Sequence, residues 1–389
     1  MSVRVLHIVG DSKYGGGSYV ILRLAQMARA AGWEPWVLTT DPVFQQVLAE
    51  HGIPSTDCTL IPREIHPYKD FRALQQLTAY LRANRFDIVH THTSKGGFIG
   101  RCAAWRAKVP AIIHTVHGFA FHEQSHPLQV RMYAAVERMA ARWCHKIVTV
   151  SRYHREWALQ LKIATPSKVV AIPNGLDPAR VEPTRPLHAI RQALDIQAGL
   201  PTILSTGRLA KQKGFEYLIE AASILKHQYS QSFQMIIAGD GPLRDSLQRQ
   251  IRRFGLTGCV RLIGFYKTIG DLYALADLVV LPSLREGLSI ALLEAMAAGK
   301  PIITTTIGSN LEATDNGRIA LLVPPRDAPA LANAIQQMLS NPQQAAHYAH
   351  CARAHFMQHY TETRMLEQYR QLYCEVLDAA RSDTRYSEK

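Results

Sequence analysis

The sequence has no long apolar run: nothing in it approaches the roughly 18–20 uninterrupted apolar residues that a membrane-spanning helix requires. Its first residues, MSVRVLHIVGDSKYGGG, hold an apolar stretch too short for a secretory signal and pass at once to charge and glycine. The expectation is a protein that is soluble or lies on a membrane surface. Paired cysteines are missing as well. Cys58, Cys102, Cys144, Cys259, Cys351 and Cys374 stand far apart and never as Cys-x-x-Cys, which excludes a zinc or disulfide framework and reads as reduced thiols in a cytosolic setting. Low-complexity tracts, a Walker A pattern, a Gly-x-Gly-x-x-Gly fingerprint and any Asp-x-Asp are all absent. P-loop nucleotide hydrolysis, dinucleotide binding and a cation clasped by paired aspartates therefore find no support.

One metal signature does occur, His122-Glu123-x-x-His126. It needs both histidines one helical turn apart on one face. Pro127 follows His126 and disfavours the helical conformation there. Gly118–Phe121 gives no helical lead-in, and no third ligand has sensible spacing. The pattern reads as a coincidence.

What is present is a chain of 389 residues, 47% hydrophobic and 19% charged, long enough for two domains. The net charge of +13 is uneven: residues 1–180 hold 22 Lys and Arg against 12 Asp and Glu, a net +10, and the remainder a net +3. An anionic partner for the first half follows, and nucleic acid, anionic lipid and a phosphorylated substrate all fit that charge. Short β-branched runs alternate with longer amphipathic stretches in both halves. The strands read VRVLHIV, EPWVLTT, FDIVHTH, PAIIHTV, HKIVTVS and KVVAIP, then PTILSTG, FQMIIAG, VRLIGF, DLVVLPS, KPIITTT and IALLVPP. Helical patterns cover Tyr19–Ala31, Asp70–Asn84 and Gly97–Lys108, and the chain is helical from about Pro329 to Ala380. Doubly buried strands separated by helices make parallel α/β sheets. A break at PNGLDPARVEPTRP separates the two series and implies two doubly wound, Rossmann-like domains facing each other.

Ligands of such sheets sit beyond the carboxyl ends of the strands, and the distinctive residues fall there. Gly15-Gly16-Gly17-Ser18 follows the first strand and opens a helix, where free N–H groups and the helix dipole favour an anion. Gly207-Arg208-Leu-Ala-Lys-Gln-Lys213-Gly214 repeats the arrangement in the second half, with two cations able to converge on one diphosphate. Read alone, these are equally a tight turn and a solvated basic turn. Glu286 lies in the loop after DLVVLPS, while Glu294 sits inside the otherwise apolar helix SIALLEAMAAG. A carboxylate there needs partners, either ligand hydroxyls or a core arginine.

In this order GRLAKQKG, AGDGPLR, PSLREGLSIALLEAMAAGKPII and LLVPP resemble the donor domain of the retaining family 4 glycosyltransferases, which have the GT-B fold. The glycine loop, HTVHGF, VTVSRYHRE and IPNGLD resemble the family's acceptor domain, so the resemblance spans nearly the whole chain. One departure is IGSNLE at 307–312, where the family usually has Gly-Gly-x-Pro-Glu. The resemblance implies an acceptor domain over 1–180, a nucleotide-sugar donor domain over 187–355, and a final helix, 356–389, packing back on the first. It implies that Arg208 and Lys213 grip the donor diphosphate, that Glu286 faces the transferred sugar and that Glu294 binds the ribose. Backbone N–H groups of Leu288, Ser289 and Ile290 are to meet donor oxygens, Gly16 and Gly17 to close over the diphosphate, and the base to dock near Gly264, Phe265 and Tyr266. His117, at a strand end, matches the family's active-site histidine. His90, His92 and His114 read as structural or peripheral. No cofactor or essential metal is expected, the nucleotide sugar being a substrate.

In HPLQVRMYAAVERMAARWCHK, Arg131, Arg138 and Arg142 fall within about 40° of one another, with Lys146 at their edge. The other side carries Leu128, Met132, Ala135, Val136 and Met139. Such a helix is a solvated face or, in a +10 half, a contact to an anionic membrane. Ser94 and Lys95, at a helix start, could cradle an acceptor phosphate. The composite resembles members that build lipid-linked sugars, with an undecaprenyl-diphosphate-linked acceptor and a place on the inner face of the cytoplasmic membrane. A same-fold transferase with a small soluble acceptor is the alternative, and a non-catalytic binder a third. Nucleic acid is disfavoured, since the basic half lacks aromatic platforms interleaved with Lys and Arg.

Overall fold

The computed structural model describes residues 2–10, 14–61, 66–119, 121 and 125–387, the last of these with side chains to residue 382. The chain divides into two compact units, Met1–Asn174 with Thr363–Lys389, and Gly175–Glu362.

The first unit is built on a parallel sheet of seven strands: β1 (Arg4–Gly10), β2 (Glu34–Thr39), β3 (Ser55–Thr56), β4 (Ile88–His92), β5 (Ala111–Val116), β6 (Lys146–Thr149) and β7 (Val169–Ala171). Their order is β3-β2-β1-β4-β5-β6-β7, so the winding reverses between β1 and β4. β4 and β5 are buried along their whole length, which is why they read as continuous β-branched runs. Alternation along β1 sends Leu6 and Ile8 to one apolar cluster, with Leu77, Val89 and Ile112, and Val9 to another, with Ile21, Val37 and Phe44. β3 was not foreseen: two polar residues carry no strand pattern, and their pairing to Val37 and Leu38 is set by the neighbour.

The second unit carries β8 (Thr202–Thr206), β9 (Gln234–Ala238), β10 (Val260–Gly264), β11 (Leu278–Leu281), β12 (Ile302–Thr305) and β13 (Leu321–Val323), ordered β10-β9-β8-β11-β12-β13. All neighbours are parallel, and the winding reverses between β8 and β11. One large cluster, including Ile203, Phe215, Leu218, Met235, Ile237 and Ile335, packs its core. The expected helices form as Gly16–Ala30, Pro67–Asn84 and Ser94–Arg106, and three helices, Ala328–Ser340, Pro342–His359 and Glu362–Ser387, close the chain.

Candidate active site

Each sheet places its distinctive residues at the carboxyl ends of the strands flanking its switch point. In the second unit β8 runs into Gly207–Gly214, where Lys211–Lys213 make one 3₁₀ turn. The loop is locked by close backbone approach. Gly239 has φ 138°, and a Cβ there would fall 1.9 Å from the Gly207 carbonyl oxygen. Gly214, at φ 65°, sits where a Cβ would meet the Pro282 carbonyl at 2.2 Å. Any other residue at these two points would push the basic loop off the strand ends.

Arg208 is exposed on that loop, while Lys213 turns inward and sets its Nζ 2.5 Å from Glu286 Oε1. Ser283 donates to the same oxygen at 2.7 Å. Both bonds of Glu286 thus go to Oε1, and Oε2 makes none to the described residues. A lysine ammonium has three donors, so Lys213 keeps two beyond this pair. Ser309, in the departing IGSNLE segment, donates to the Glu286 carbonyl at 3.1 Å, so that segment braces the Glu286 loop. Ser289 caps the helix Ile290–Ala297, its hydroxyl accepting from Leu292 N, with Leu288 buried just before it. Inside the helix Glu294 is buried, and burial raises its pKa, which Arg180 partly reverses. Arg180 Nε donates to Glu294 Oε1 at 3.0 Å and Tyr273 Oη to Oε2 at 3.3 Å. Sequence reasoning named neither partner. Arg180 lies in the charged break between the two strand series, where nothing marks one arginine from the next. Gly264 ends β10, Phe265 beside it is 71% exposed, and the Tyr266 hydroxyl accepts from Arg185 at 2.7 Å.

In the first unit the helix Gly16–Ala30 starts without a side-chain cap among the described residues. A Cβ on Gly17 would lie 4.0 Å from the His117 ring, so the glycine loop and His117 adjoin. Strand alternation and register gather His7, His90, His92 and Thr115 on one face, with His7 paired to His90 and His92 to Thr115. His92 hydrogen-bonds both ways, to His7 at 3.1 Å and to His117 at 3.0 Å. His90 is held by the Tyr373 hydroxyl at 2.5 Å and by Thr115 Oγ1 at 2.7 Å, while Tyr369 bonds Thr115 at 3.0 Å. Tyr369 and Tyr373 stand one turn apart on the final helix and project together onto this face. His114 points to the other face and bonds Thr91. Burial pushes His117 down to about 4 and His7 to about 3, and carries His90, His92 and His114 well below the ordinary histidine value. All are neutral at pH 7. His92, which reads from the sequence as structural or peripheral, is thus bonded directly to the candidate active-site histidine. Strand parity, His90 and His92 two apart and Thr115 and His117 two apart, was the available signal.

His7, His90 and His92 have ligand atoms within 4.8 Å of one another. Five of their six ring nitrogens are already in hydrogen bonds, so a metal would have to displace them. In the His-Glu-x-x-His pattern His122 and Glu123 lie outside the described residues. His126 stands before the helix Pro127–Ala141, as its cap.

Ser94 is exposed at its helix start, and Lys95 is paired with Asp70 at 2.6 Å. Thr93, just before them, has φ 60° and ψ 160°, a strained setting for a non-glycine, and its hydroxyl donates to the Val9 carbonyl. The helix Pro127–Ala141 departs from expectation. Its apolar row does not lie opposite the arginines: Leu128, Met132, Val136 and Met139 are exposed beside Arg131, Arg138 and Arg142. Small residues, Ala134, Ala140 and Ala141, take the inward face instead. Lys146 is off the helix, starting β6 and paired with Glu375 at 2.7 Å. A cavity of about 660 Å³ opens near the amino ends of β5 and β6, lined by Lys108, Arg142, Lys146 and Lys168 among others. It contains none of the strand-end residues above.

Comparison with known proteins bears on these two sites. The family model "Glycosyltransferase Family 4" matches residues 14–180, and "Glycosyl transferases group 1" matches 188–355. The UDP-Gal:alpha-D-GlcNAc-diphosphoundecaprenol alpha-1,3-galactosyltransferase of Escherichia coli is 32% identical over 276 residues, covering 70% of this chain and 71% of that protein. The chain belongs to glycosyltransferase family 4. This glycosyltransferase is also 27% identical over 354 residues to the putative glycosyltransferase EpsD of Bacillus subtilis, with 89% and 90% of the two chains covered. Its fold is GT-B: the Anabaena protein Alr3699/HepE, solved with UDP and glucose, superposes with a TM-score of 0.82 at 23% identity over 96% of this chain and all of that one. No helix among the described residues is long and apolar enough to cross a membrane.

Proposed function

We propose that this glycosyltransferase moves a hexose or N-acetylhexosamine, with retention and without an essential metal, from a uridine-diphosphate sugar to an undecaprenyl-diphosphate-linked saccharide. The observation that carries the donor half is the Lys213–Glu286 pair at 2.5 Å, with Oε2 of the carboxylate and two donors of the ammonium left over. The spare oxygen accepts from sugar hydroxyls, and the spare N–H groups meet the diphosphate alongside Arg208. As the anomeric carbon becomes oxocarbenium-like, negative charge grows on the leaving diphosphate. Arg208 and Lys213 stabilise that growing charge, and the helix start at Gly16–Gly17 offers N–H groups suited to an anion. Each oxygen of Glu294 has one protein partner and a lone pair left for a ribose hydroxyl. Phe265 offers an exposed ring for the base. His117 hydrogen-bonds a sugar oxygen. In a same-face reaction the leaving phosphate takes the acceptor proton.

The acceptor half is supported by the Escherichia coli relative, named for a diphosphoundecaprenol-linked acceptor, and by the helix Pro127–Ala141. An apolar row in solvent beside an arginine row suits the headgroup boundary of an anionic membrane, and the cations lining the cavity near β5 and β6 extend the same surface. The enzyme works on the cytoplasmic face of that membrane. Transfer from UDP-sugars to synthetic undecaprenyl-diphosphate-linked and soluble saccharides tests both halves. Lys213→Ala is expected to lower the rate by about 10²–10³, and full activity in it and in Glu286→Gln overturns the donor site. Faster transfer to the soluble acceptors overturns the lipid-linked reading.

A further inference from the structure

The first unit contains a continuous line of three imidazoles, His7 Nδ1 to His92 Nε2 at 3.1 Å and His92 Nδ1 to His117 Nε2 at 3.0 Å. The rings of His7 and His92 stack at 5.4 Å and those of His92 and His117 at 5.2 Å. His7 and His92 are fully buried, and burial keeps all three rings neutral. A neutral imidazole has one N–H and one bare nitrogen. Each bond in the line therefore needs one donor and one acceptor, and only two proton arrangements satisfy both bonds.

In the first, His117 donates from Nε2 to His92 and His92 donates from Nε2 to His7. The His7 proton is then on its Nε2, which is buried without a hydrogen-bond partner among the described residues. That leaves an orphaned N–H in the core. In the second, His7 donates from Nδ1, His92 donates from Nδ1 to His117 Nε2, and the His117 proton sits on Nδ1. The unsatisfied atom at His7 is now a lone pair, which interiors tolerate better than an orphaned donor. His117 Nδ1 makes no hydrogen bond to the described residues and is the nitrogen left to meet a ligand. The neighbouring titratable groups do not compete for this line: His90 has both nitrogens bound to Tyr373 and Thr115, and His114 bonds Thr91 on the opposite face, near Arg101.

We propose that His7 and His92 are positioning residues that fix His117 as its Nδ1–H tautomer, so that His117 meets the substrate as a neutral hydrogen-bond donor and not as a base. This rests on the reading of His117 as an active-site residue. The direct test is nitrogen-15 NMR of the histidine-labelled full chain, with the His117 signals assigned by their loss in His117→Ala. A protonated Nδ1 and bare Nε2 at His117 are expected; the reverse overturns the proposal, and this measurement needs no variant at His92.

Transfer kinetics give the second arm. His92→Asn keeps an N–H at the Nδ1 position and is expected to hold kcat within about threefold. His92→Asp, once ionised, only accepts; it draws the proton to His117 Nε2 and is expected to cost about tenfold or more in kcat with donor KM little changed, with a new pH limb near neutrality. His92→Leu loses about as much, without that limb. Equal kcat and equal pH profiles in all three overturn the proposal. Full activity in His117→Ala instead overturns the underlying reading of His117, while an inactive His117→Ala with a protonated Nε2 in the wild type overturns the tautomer assignment alone.

Discussion

Mild acid should unfold the first unit selectively, and the histidine patch sets how steeply. His7, His90, His92 and His114 are at most 2% exposed, and burial holds each far below the ordinary histidine value. In the unfolded chain the same groups titrate near pH 6.5. Between that value and their lowered ones the unfolded state binds protons that the folded state refuses, so stability rises with pH and is lost as pH falls. The loss begins just below pH 7 and continues towards about pH 4 for His117 and about pH 3 for His7. At pH 5.5 each neutral histidine costs about 1 kcal/mol or slightly more relative to pH 7.5, and the four together about 5 kcal/mol. That equals the whole stability of a marginal domain. Most carboxylates titrate below this range, so they contribute little to it. The assay is simple because all five tryptophans, Trp33, Trp36, Trp105, Trp143 and Trp157, belong to the first unit. Their fluorescence in urea at pH 7.5 and 5.5 reports that unit's stability. A loss no greater than that of one histidine, about 1 kcal/mol, would refute the reasoning.

Tyr373→Phe leaves His90 Nδ1 buried without its partner and should cost about 1–3 kcal/mol in the same fluorescence titration. Gly239→Ala forces a Cβ into the Gly207 carbonyl and should destabilise the second unit by more than about 2 kcal/mol, seen in thermal unfolding by circular dichroism, and weaken UDP-sugar binding. Arg180→Met removes a partner of Glu294, so donor KM should rise about tenfold with kcat less affected; unchanged KM would detach Glu294 from the donor site. Met132→Asp with Met139→Asp should abolish flotation with anionic vesicles at low salt while leaving transfer to a soluble acceptor intact. Flotation equal to wild type would remove this helix from the membrane contact.

Twelve of the thirteen strands among the described residues were legible as β-branched runs, most of them, such as β4, β5, β8, β9, β11 and β12, because they are buried along their whole length. The glycines at 207, 214, 239 and 241, each with positive φ, were legible as a loop signature, but the carbonyls that demand them were not. Lys213, Glu286 and Glu294 could be named as candidates from residue type and position. Arg180 could not, because its partner lies 114 residues away and only packing selects it. The helix Pro127–Ala141 was misread for a related reason: its pattern gives apolar positions, and alanines can serve as the buried face while larger residues stay in solvent. Strand parity was the signal that puts His92 on the face of Thr115 and His117, but the bond between the two rings depends on packing across the sheet, which parity does not give.

The first unit is sewn from two stretches of chain separated by the whole of the second. During translation, the segment Met1–Asn174 emerges with His90 and Thr115 still lacking the hydroxyls of Tyr373 and Tyr369, which are made only after Glu362. The second unit, continuous in sequence, has all its residues before those tyrosines exist. A ribosome therefore finishes the parts in the reverse of their numbering, and a nascent chain stalled before residue 369 exposes a polar, half-satisfied sheet face for as long as the stall lasts. A premature stop there is a lesion of the N-terminal domain, not of a dispensable tail.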